Sequence, residues 1–159
     1  MLLNGYLIQR ATLQRDYNEK SSGFVSLVPS TQISDLSCLD NLKNLKTINL
    51  KNCQNITDFT PLSKLINLEN LMLRETQIIN LYCLINLPKL QYLNLSGCNI
   101  KDYSYLSKII SLTHLYLNYC KITNIYCFGE LINLRELYMW GYEKDISYLN
   151  KLKNCRVYV

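Results

Sequence analysis

Seven apolar columns that recur about every 22 residues constrain this chain more than any other feature. The first three columns are spaced as L-x-x-L-x-L, and they read Leu45, Leu68, Leu90, Leu112, Leu134; Ile48, Leu71, Leu93, Leu115, Leu137; and Leu50, Leu73, Leu95, Leu117, Met139. Four later columns stay in register through the four complete units. In the unit that starts at Leu45 they are Ile56, Phe59, Leu62 and Leu65. Such self-similarity is typical of a solenoid, in which each unit buries its apolar side chains against its neighbours.

The repeat pattern extends on both sides of the complete units and sets the predicted domain bounds. We place the array at residues 24–159, with units starting near residues 24, 45, 68, 90, 112 and 134 and a partial unit at 155. In this register Phe24 and Leu27 take the first two columns of the first unit, and Cys155 and Tyr158 take those of the last. Residues 1–23 do not fit, and we interpret them as an N-terminal cap or flanking segment. The alternative is a fragment of a longer array.

Each L-x-x-L-x-L stretch predicts a short strand whose alternate residues point into the core. The unit is a leucine-rich repeat. Stacked units place their strands side by side in a parallel sheet, and the four later columns cover the other side of the core. The predicted fold is therefore an α/β leucine-rich-repeat solenoid of about six stacked repeats. Short parallel strands form its concave face, and short helical, 3₁₀ or extended segments form its convex face.

One segment, residues 56–68, reads I-T-D-F-T-P-L-S-K-L-I-N-L and resembles the 22-residue repeats of the internalin type. These repeats are similar to those of the regulatory subunits that bind protein phosphatase one. The resemblance covers residues 24–158 and implies a protein-binding solenoid. The proline of that class stands only at Pro61, and the usual turn asparagine is replaced by Cys53, Thr76, Cys98, Cys120 and Tyr142. No phosphatase-binding residues can therefore be transferred to this chain.

Composition excludes several classes of function. The 17 basic and 12 acidic residues give a net charge of +5, but the basic residues are dispersed, so we do not expect nucleic acid as a partner. Polar residues interrupt every apolar stretch, which argues against a membrane span. His114 is the one histidine, and no dense carboxylate cluster or Gly-rich phosphate loop accompanies it. We therefore predict no enzymatic activity, no metal site and no cofactor.

Seven cysteines occur without a C-x-x-C pair, and the N-terminus lacks the basic and small-residue signals of a secretory leader. These features predict reduced thiols and an intracellular, cytoplasmic protein, which means the host cytoplasm if the chain is viral or parasite-derived. The turn column of the repeat holds Cys53, Cys98 and Cys120, where a buried side chain must satisfy backbone groups of the loop. A structural role is therefore predicted for these thiols.

The outward residues of the strands are not needed for packing, and they are the candidate binding residues. Aromatic and imidazole side chains gather in the later repeats, and two cations stand in the earlier ones. The predicted partner-binding residues are Tyr92, His114, Tyr116, Tyr138, Trp140, Lys51 and Arg74. Tyrosine and tryptophan dominate interface hot spots. The alternative is a cross-strand aromatic ladder that only stabilises the sheet, with Trp140 as part of a terminal cap.

These observations predict a non-catalytic scaffold that binds a protein partner through its concave sheet face. Lys51 and Arg74 would face an acidic flank of that partner. The alternative is an adaptor or substrate-receptor subunit that docks into a larger assembly through its termini. Carbohydrate binding by the aromatic patch is a further alternative. The last strand, Arg156 to Val159, is an exposed edge, so we also predict weak self-association through it.

Overall fold

A computed structural model describes residues 23–26 and 33–159. Within these residues, seven three-residue strands form one parallel sheet in chain order. They are β1 (Phe24–Ser26), β2 (Thr47–Asn49), β3 (Asn70–Met72), β4 (Tyr92–Asn94), β5 (His114–Tyr116), β6 (Glu136–Tyr138) and β7 (Arg156–Tyr158). Each strand pairs with the next, so the predicted leucine-rich-repeat solenoid with its parallel sheet is confirmed.

Between successive strands the chain crosses the other side of the core through a short 3₁₀ helix. These helices are Ser37–Asn41, Thr60–Lys64, Tyr82–Leu84, Ser104–Lys108, Tyr126–Glu130 and Ser147–Lys151. At least two buried residues flank or lie within each of them; for the second helix they are Phe59, Leu62 and Leu65. A tight 3₁₀ turn suits this connection, because the chain has only about ten residues from the start of each 3₁₀ helix to the start of the next strand.

All seven apolar columns of the four complete units are buried in a single continuous core. The middle residue of each strand from β2 to β6 is fully enclosed, as at Leu71, Leu93 and Leu115. Burying one such side chain stabilises the fold by about 1.5–3 kcal/mol. Each repeat also has to order about 22 residues, so its stability depends on the neighbours that complete its core.

A side-chain carbonyl or carboxylate caps the start of every 3₁₀ segment. The Oδ1 atom of each capping residue accepts a hydrogen bond of 2.7–2.9 Å from the backbone N–H two positions later, at Asp35, Asp58, Asn80, Asp102, Asn124 and Asp145. Hydrogen bonds from the backbone, and for Asp102 first from the Ser104 hydroxyl, lower the pKa of the four aspartates. The I-x-D part of the repeat is therefore a capping element.

The register predicted for the first repeat is wrong by two residues. Phe24 lies opposite Thr47, and Val25 rather than Leu27 lies opposite Ile48 in the second column. Phe24 is consequently exposed and Val25 buried. Gly23 fixes this register, because its carbonyl accepts hydrogen bonds from the backbone of Lys46 and Thr47. A side chain at Gly23 would approach the Asn44 carbonyl oxygen to 2.3 Å, so only glycine fits there.

The register predicted for the last strand is wrong by one residue. Val157, not Tyr158, pairs with Leu137, and Tyr158 pairs with Tyr138. The spacing of this repeat is 20 residues rather than 21, and the apolar side chain of Val157 fills the inward column. The predicted cap at 1–23 lies outside the described residues, apart from Gly23. In the described part of the chain, no helix is long and apolar enough to cross a membrane.

Candidate protein-interaction face

The first and third residues of each strand point away from the core and form the open face of the sheet. From β2 to β7 the first residues are Thr47, Asn70, Tyr92, His114, Glu136 and Arg156, and the third residues are Asn49, Met72, Asn94, Tyr116, Tyr138 and Tyr158. All of them except the exposed Arg156 are half-buried by their neighbours. Parallel, in-register pairing therefore sets equivalent side chains next to one another.

Four of these side chains form a continuous row of ring contacts, which we name the tyrosine ladder: Tyr92, Tyr116, Tyr138 and Tyr158. The Tyr116 and Tyr138 rings are parallel within 5° at a centroid distance of 4.4 Å, and the Tyr138 and Tyr158 rings are parallel within 7° at 4.3 Å. Tyr92 joins diagonally at 5.0 Å from Tyr116. The ring spacing matches the distance between strands, about 4.8 Å, so the sheet itself imposes the stack.

Polar groups flank the tyrosine ladder on its first-column side. The Tyr138 hydroxyl donates to Glu136 Oε2 at 3.0 Å, and the His114 Nε2 atom lies 3.9 Å from the same oxygen. The His114 ring also stacks on Tyr92 at a centroid distance of 6.3 Å. Desolvation and the hydrogen bond to Glu136 raise the pKa of Tyr138. Desolvation, followed by the neighbouring Tyr92, raises the pKa of Tyr116. At neutral pH Tyr116 and Tyr138 thus present uncharged phenol groups.

The earlier half of the face is built from amides. Asn49 and Asn94 each accept a hydrogen bond from the backbone N–H two residues later, at 3.1 and 3.0 Å. Asn70 donates from Nδ2 to the Thr47 hydroxyl at 3.1 Å. These side chains therefore satisfy backbone and neighbouring polar groups of the sheet. Their hydrogen-bonding groups are therefore less available to a partner than the rings of the tyrosine ladder are.

The structure brings together four of the seven predicted binding residues: Tyr92, His114, Tyr116 and Tyr138. The other three, Lys51, Arg74 and Trp140, lie in the turns that follow β2, β3 and β6. Each strand is only three residues long, so these side chains stand at the rim of the face. The Arg74 guanidinium donates twice to Glu75 Oε1, at 2.9 and 3.0 Å. Trp140 is half exposed and has no ring contact within the described residues.

Sequence reasoning missed Tyr158 as a member of the site. The triplet Arg156-Val157-Tyr158 repeats the polar-apolar-tyrosine order of Glu136-Leu137-Tyr138, and this signal could have placed it. Its ring extends the tyrosine ladder by one strand. The aromatic half of the face therefore comprises β5 to β7, and Tyr92 of β4 joins it from the first column.

The turn-column thiols act as hydrogen-bond donors inside the core. Cys98 donates to the Leu73 carbonyl at 3.0 Å and Cys120 to the Leu95 carbonyl at 3.2 Å, in each case one repeat earlier. Thr76 donates its hydroxyl to the Leu73 carbonyl at 2.8 Å. Burial raises the pKa of both Cys98 and Cys120, which keeps them protonated as donors. Among the residues described, no three His, Cys, Asp or Glu side chains come together as a metal-binding group.

Comparisons with known proteins agree with this architecture. A family described as Leucine Rich repeat matches residues 86–102 and 108–125. The structure of the internalin inlF from Listeria monocytogenes is 29% identical with a TM-score of 0.73, and the match covers 80% of this chain and 38% of inlF. Internalin C2 from the same organism is 33% identical with a TM-score of 0.67, over 80% of this chain and 57% of internalin C2.

A third Listeria monocytogenes structure shares the fold at lower identity. It is the functional domain of InlJ, described as including a cysteine ladder, and it is 18% identical with a TM-score of 0.64. The match covers 79% of this chain and 27% of that domain. No curated protein matches the chain. This chain spans 38% and 57% of the length of the two internalins above, so it corresponds to part of such a protein.

Proposed function

This chain is a leucine-rich-repeat protein, and we propose that it is a non-catalytic module that binds a protein partner through its sheet face, with the tyrosine ladder as the central contact. Leucine-rich-repeat proteins, including the internalin-like relatives, generally mediate interactions between proteins. The open face is the surface of such a solenoid that can vary without disturbing its core.

The observation that carries this proposal is the row of four tyrosines, three of them stacked, on a face that the core does not use. Their rings lie outside the buried core cluster, where leucine and isoleucine supply most of the packing. Tyrosine combines a large apolar ring with a hydroxyl and loses little conformational entropy on binding, which makes it a frequent hot-spot residue. Stacking fixes the rings in advance, so a partner would meet a preorganised surface.

Polar groups beside the ladder give the proposed site a means of discrimination. Glu136 accepts one hydrogen bond from Tyr138 and keeps further acceptor capacity on its carboxylate, while His114 presents its Nε2 atom beside it. A partner that pairs with these groups gains specificity, and one that leaves them buried and unpaired is disfavoured.

Affinity capture from the lysate of the native host tests the proposal. The wild-type chain is compared with a triple variant, Tyr116→Ala, Tyr138→Ala and Trp140→Ala. The matched control is the pair Asn70→Ala and Met72→Ala, which changes two outward residues of the amide half. Circular dichroism first establishes that all three proteins are folded. A protein captured by the wild type and the control but lost with the triple variant supports the proposal. Equal capture by all three proteins contradicts it.

The adaptor alternative makes a different prediction in the same assay. A chain without residues 1–22 should keep a partner that binds the sheet face, whereas it should lose an assembly that docks through the N-terminal segment. Retention by the truncated chain together with loss by the triple variant therefore separates the two functions.

We also propose an intracellular, cytoplasmic location. It is supported by six cysteines that form no disulfide within the described residues, since such thiols persist in a reducing compartment; they are Cys38, Cys83, Cys98, Cys120, Cys127 and Cys155. Burial raises the pKa of Cys83 and Cys127 to about 11, so these thiols are unreactive at neutral pH. Microscopy of the tagged chain in its host tests this location, and a signal restricted to the cell exterior would contradict it.

A further inference from the structure

Four residues at one repeat position form an exposed apolar line along the edge of the solenoid where the strands begin. The position directly follows the last apolar column of the repeat, and it holds Ile66, Pro88, Ile110 and Ile132. The three isoleucines are 52%, 56% and 75% exposed. In-register strand pairing sets equivalent positions about 5 Å apart, so the four residues extend over about 15 Å. We name these four residues the isoleucine line.

The isoleucine line takes no part in the packing of the core. Its isoleucines belong neither to the buried cluster nor to the half-buried residues that pack against it. Each member is followed by a polar residue whose side chain donates a hydrogen bond of 2.7–2.9 Å to the preceding repeat: Asn67, Lys89, Ser111 and Asn133. The repeats are therefore tied together beneath the line, while its aliphatic side chains stay in solvent. A contiguous exposed apolar row of this kind is typical of a binding surface.

The net positive charge of the described residues lies on this same edge. The segments that lead from the end of each 3₁₀ helix to the next strand carry eight exposed basic residues: Lys43, Lys46, Lys64, Lys89, Lys108, Arg135, Lys151 and Lys153. Three acidic residues accompany them. Asp40 and Glu69 pair with Lys64 and Lys46, and Glu130 has no ion pair within the described residues. Basic residues stand on both sides of the isoleucine line and beyond both of its ends.

The opposite edge, built from the turns after the strands and the 3₁₀ caps, has no such excess. Its basic residues are Lys51, Arg74, Lys101, Lys121 and Lys144. Its acidic residues are Asp35, Asp58, Glu75, Asp102, Glu143 and Asp145. One isoleucine, Ile79, is exposed there, and the equivalent residues of the adjacent repeats, Thr57 and Lys101, are polar. On the sheet face Glu136 and Arg156 balance each other. The positive charge and the apolar line therefore coincide on one edge only.

This combination of groups suits an anionic lipid surface. Aliphatic side chains and ammonium groups bind through burial and charge without directional hydrogen bonds, and the polar side chains beside the line are already bonded. A line about 15 Å long offers far less than the roughly 800 Å² that each partner buries in a stable protein interface. The phosphate backbone of a nucleic acid has nothing apolar to cover isoleucines. A membrane interface takes up a few aliphatic side chains while its headgroups attract the surrounding lysines.

We propose that the isoleucine line and the basic residues around it bind the surface of an anionic membrane, so that the solenoid stands on this edge. The isoleucines would enter the headgroup region, and the lysines would contact lipid phosphates and carboxylates. The sheet face would remain open to a protein partner, so this inference goes beyond the proposed function and does not depend on it. The negatively charged cytoplasmic leaflet is such a surface, in agreement with the proposed location.

Flotation of the full chain with lipid vesicles tests the inference. Vesicles of phosphatidylcholine with one third phosphatidylserine are compared with vesicles of phosphatidylcholine alone. We expect binding to the anionic vesicles to be at least about tenfold tighter than to the neutral ones. Added salt should weaken it, because ions screen the attraction between the lysines and the headgroups.

Two double variants separate the apolar contribution from the charged one. Ile110→Ser with Ile132→Ser removes apolar surface from the line, and Lys108→Glu with Lys153→Glu reverses two charges beside it. Each should bind the anionic vesicles at least about tenfold more weakly than the wild type. All four positions are exposed, and circular dichroism establishes that the variants are folded.

The matched controls lie on the opposite edge. Ile79→Ser removes an isoleucine of similar exposure, and Lys101→Glu with Lys144→Glu changes the net charge by the same amount. Both controls should bind the anionic vesicles within about threefold of the wild type, because their positions lie away from the proposed contact.

Several outcomes would overturn the inference. Absence of vesicle binding is one, and an equal loss in the opposite-edge charge variant is another, since the net charge alone would then account for binding. Unchanged binding by the isoleucine variant would show that the lysines act without the line. Binding of polyglutamate or of a homopolymeric RNA without binding of vesicles would show that the edge takes an acidic protein or a nucleic acid instead.

The membrane contact and the proposed function fail separately. Tyr116→Ala with Tyr138→Ala should leave vesicle binding unchanged, and Lys108→Glu with Lys153→Glu should still capture a partner of the sheet face. Loss of vesicle binding in the tyrosine variant would place the membrane contact on the sheet face and overturn the inference about the edge.

Discussion

The two halves of the sheet face share one backbone and differ only in the side chains that point outward. From β2 to β4, asparagines such as Asn49 and Asn94 accept hydrogen bonds from their own turns. From β5 to β7, Tyr116, Tyr138 and Tyr158 occupy the same column and stack on one another. The inward residues are leucine, isoleucine or valine in both halves. The comparison teaches that the core defines the solenoid, while the outward column is free to carry function.

The largest expected effect tests whether the two halves share one core. Leu71→Ala in the amide half and Leu115→Ala in the aromatic half each remove a fully buried strand residue. Each should lower the free energy of unfolding by about 2–5 kcal/mol, because a cavity forms between neighbouring repeats. Urea denaturation followed by circular dichroism measures both. A loss under about 1 kcal/mol in one half only would show that its core is not continuous with the other.

The next effect tests what the tyrosine ladder contributes to stability. Tyr138→Ala removes two ring contacts, each worth about 0.5–1.5 kcal/mol, so the free energy of unfolding should fall by roughly 1–3 kcal/mol. Tyr138→Phe keeps both stacked rings and loses the hydrogen bond to Glu136, so its loss should be smaller, about 0.5–1.5 kcal/mol. The same denaturation experiment compares them. Equal losses would show that the hydroxyl rather than the stack stabilises this half.

A smaller effect concerns the 3₁₀ caps, which are alike in both halves. The folded-state pKa of Asp58 and Asp102 is lowered, so these carboxylates stabilise the fold above their ordinary pKa. That stability should be lost as the pH falls through the lowered folded-state pKa. Asp58→Asn and Asp102→Asn should reduce the acid sensitivity of the melting temperature, because Asn80 and Asn124 cap without titrating. An unchanged acid profile in the double variant would contradict this role of the caps.

The weakest expected effect is self-association at the end of the aromatic half. β7 is the outermost strand of the described sheet and presents unpaired backbone groups, so a second copy could pair with it. Sedimentation velocity should show a dimer fraction that grows with concentration, and Val157→Pro should reduce it. Monomer at every concentration would remove this prediction.

The inward pattern of the complete repeats could be predicted from sequence in full, because seven columns in register over four units constrain one another. The end repeats could not, since Val25 and Leu27 are both apolar and a three-residue strand offers too few positions to choose between them. The same ambiguity placed Tyr158 inward instead of Val157. Close approach of Gly23 to the Asn44 carbonyl settles the first register, and it depends on tertiary contacts.

The candidate site was predicted in its composition but not in its layout. Tyr92, His114, Tyr116 and Tyr138 lie together because in-register pairing follows from the repeat. Trp140, Lys51 and Arg74 lie in the rim, because the strands end sooner than the L-x-x-L-x-L pattern suggests. The residue type of Tyr119 does not predict its left-handed backbone, although Gly97 and Gly141 occupy the equivalent turn positions of the neighbouring repeats.

The most direct test of the central claim is the affinity of a partner recovered by capture, measured by isothermal titration calorimetry for two variants. One is Tyr116→Ala with Tyr138→Ala in the aromatic half, and the other is Asn70→Ala with Met72→Ala in the amide half. Hot-spot residues contribute about 2 kcal/mol or more, so the aromatic variant should bind more than tenfold more weakly, with the amide variant near the wild type. Equal affinities for both variants and the wild type would contradict binding through the tyrosine ladder.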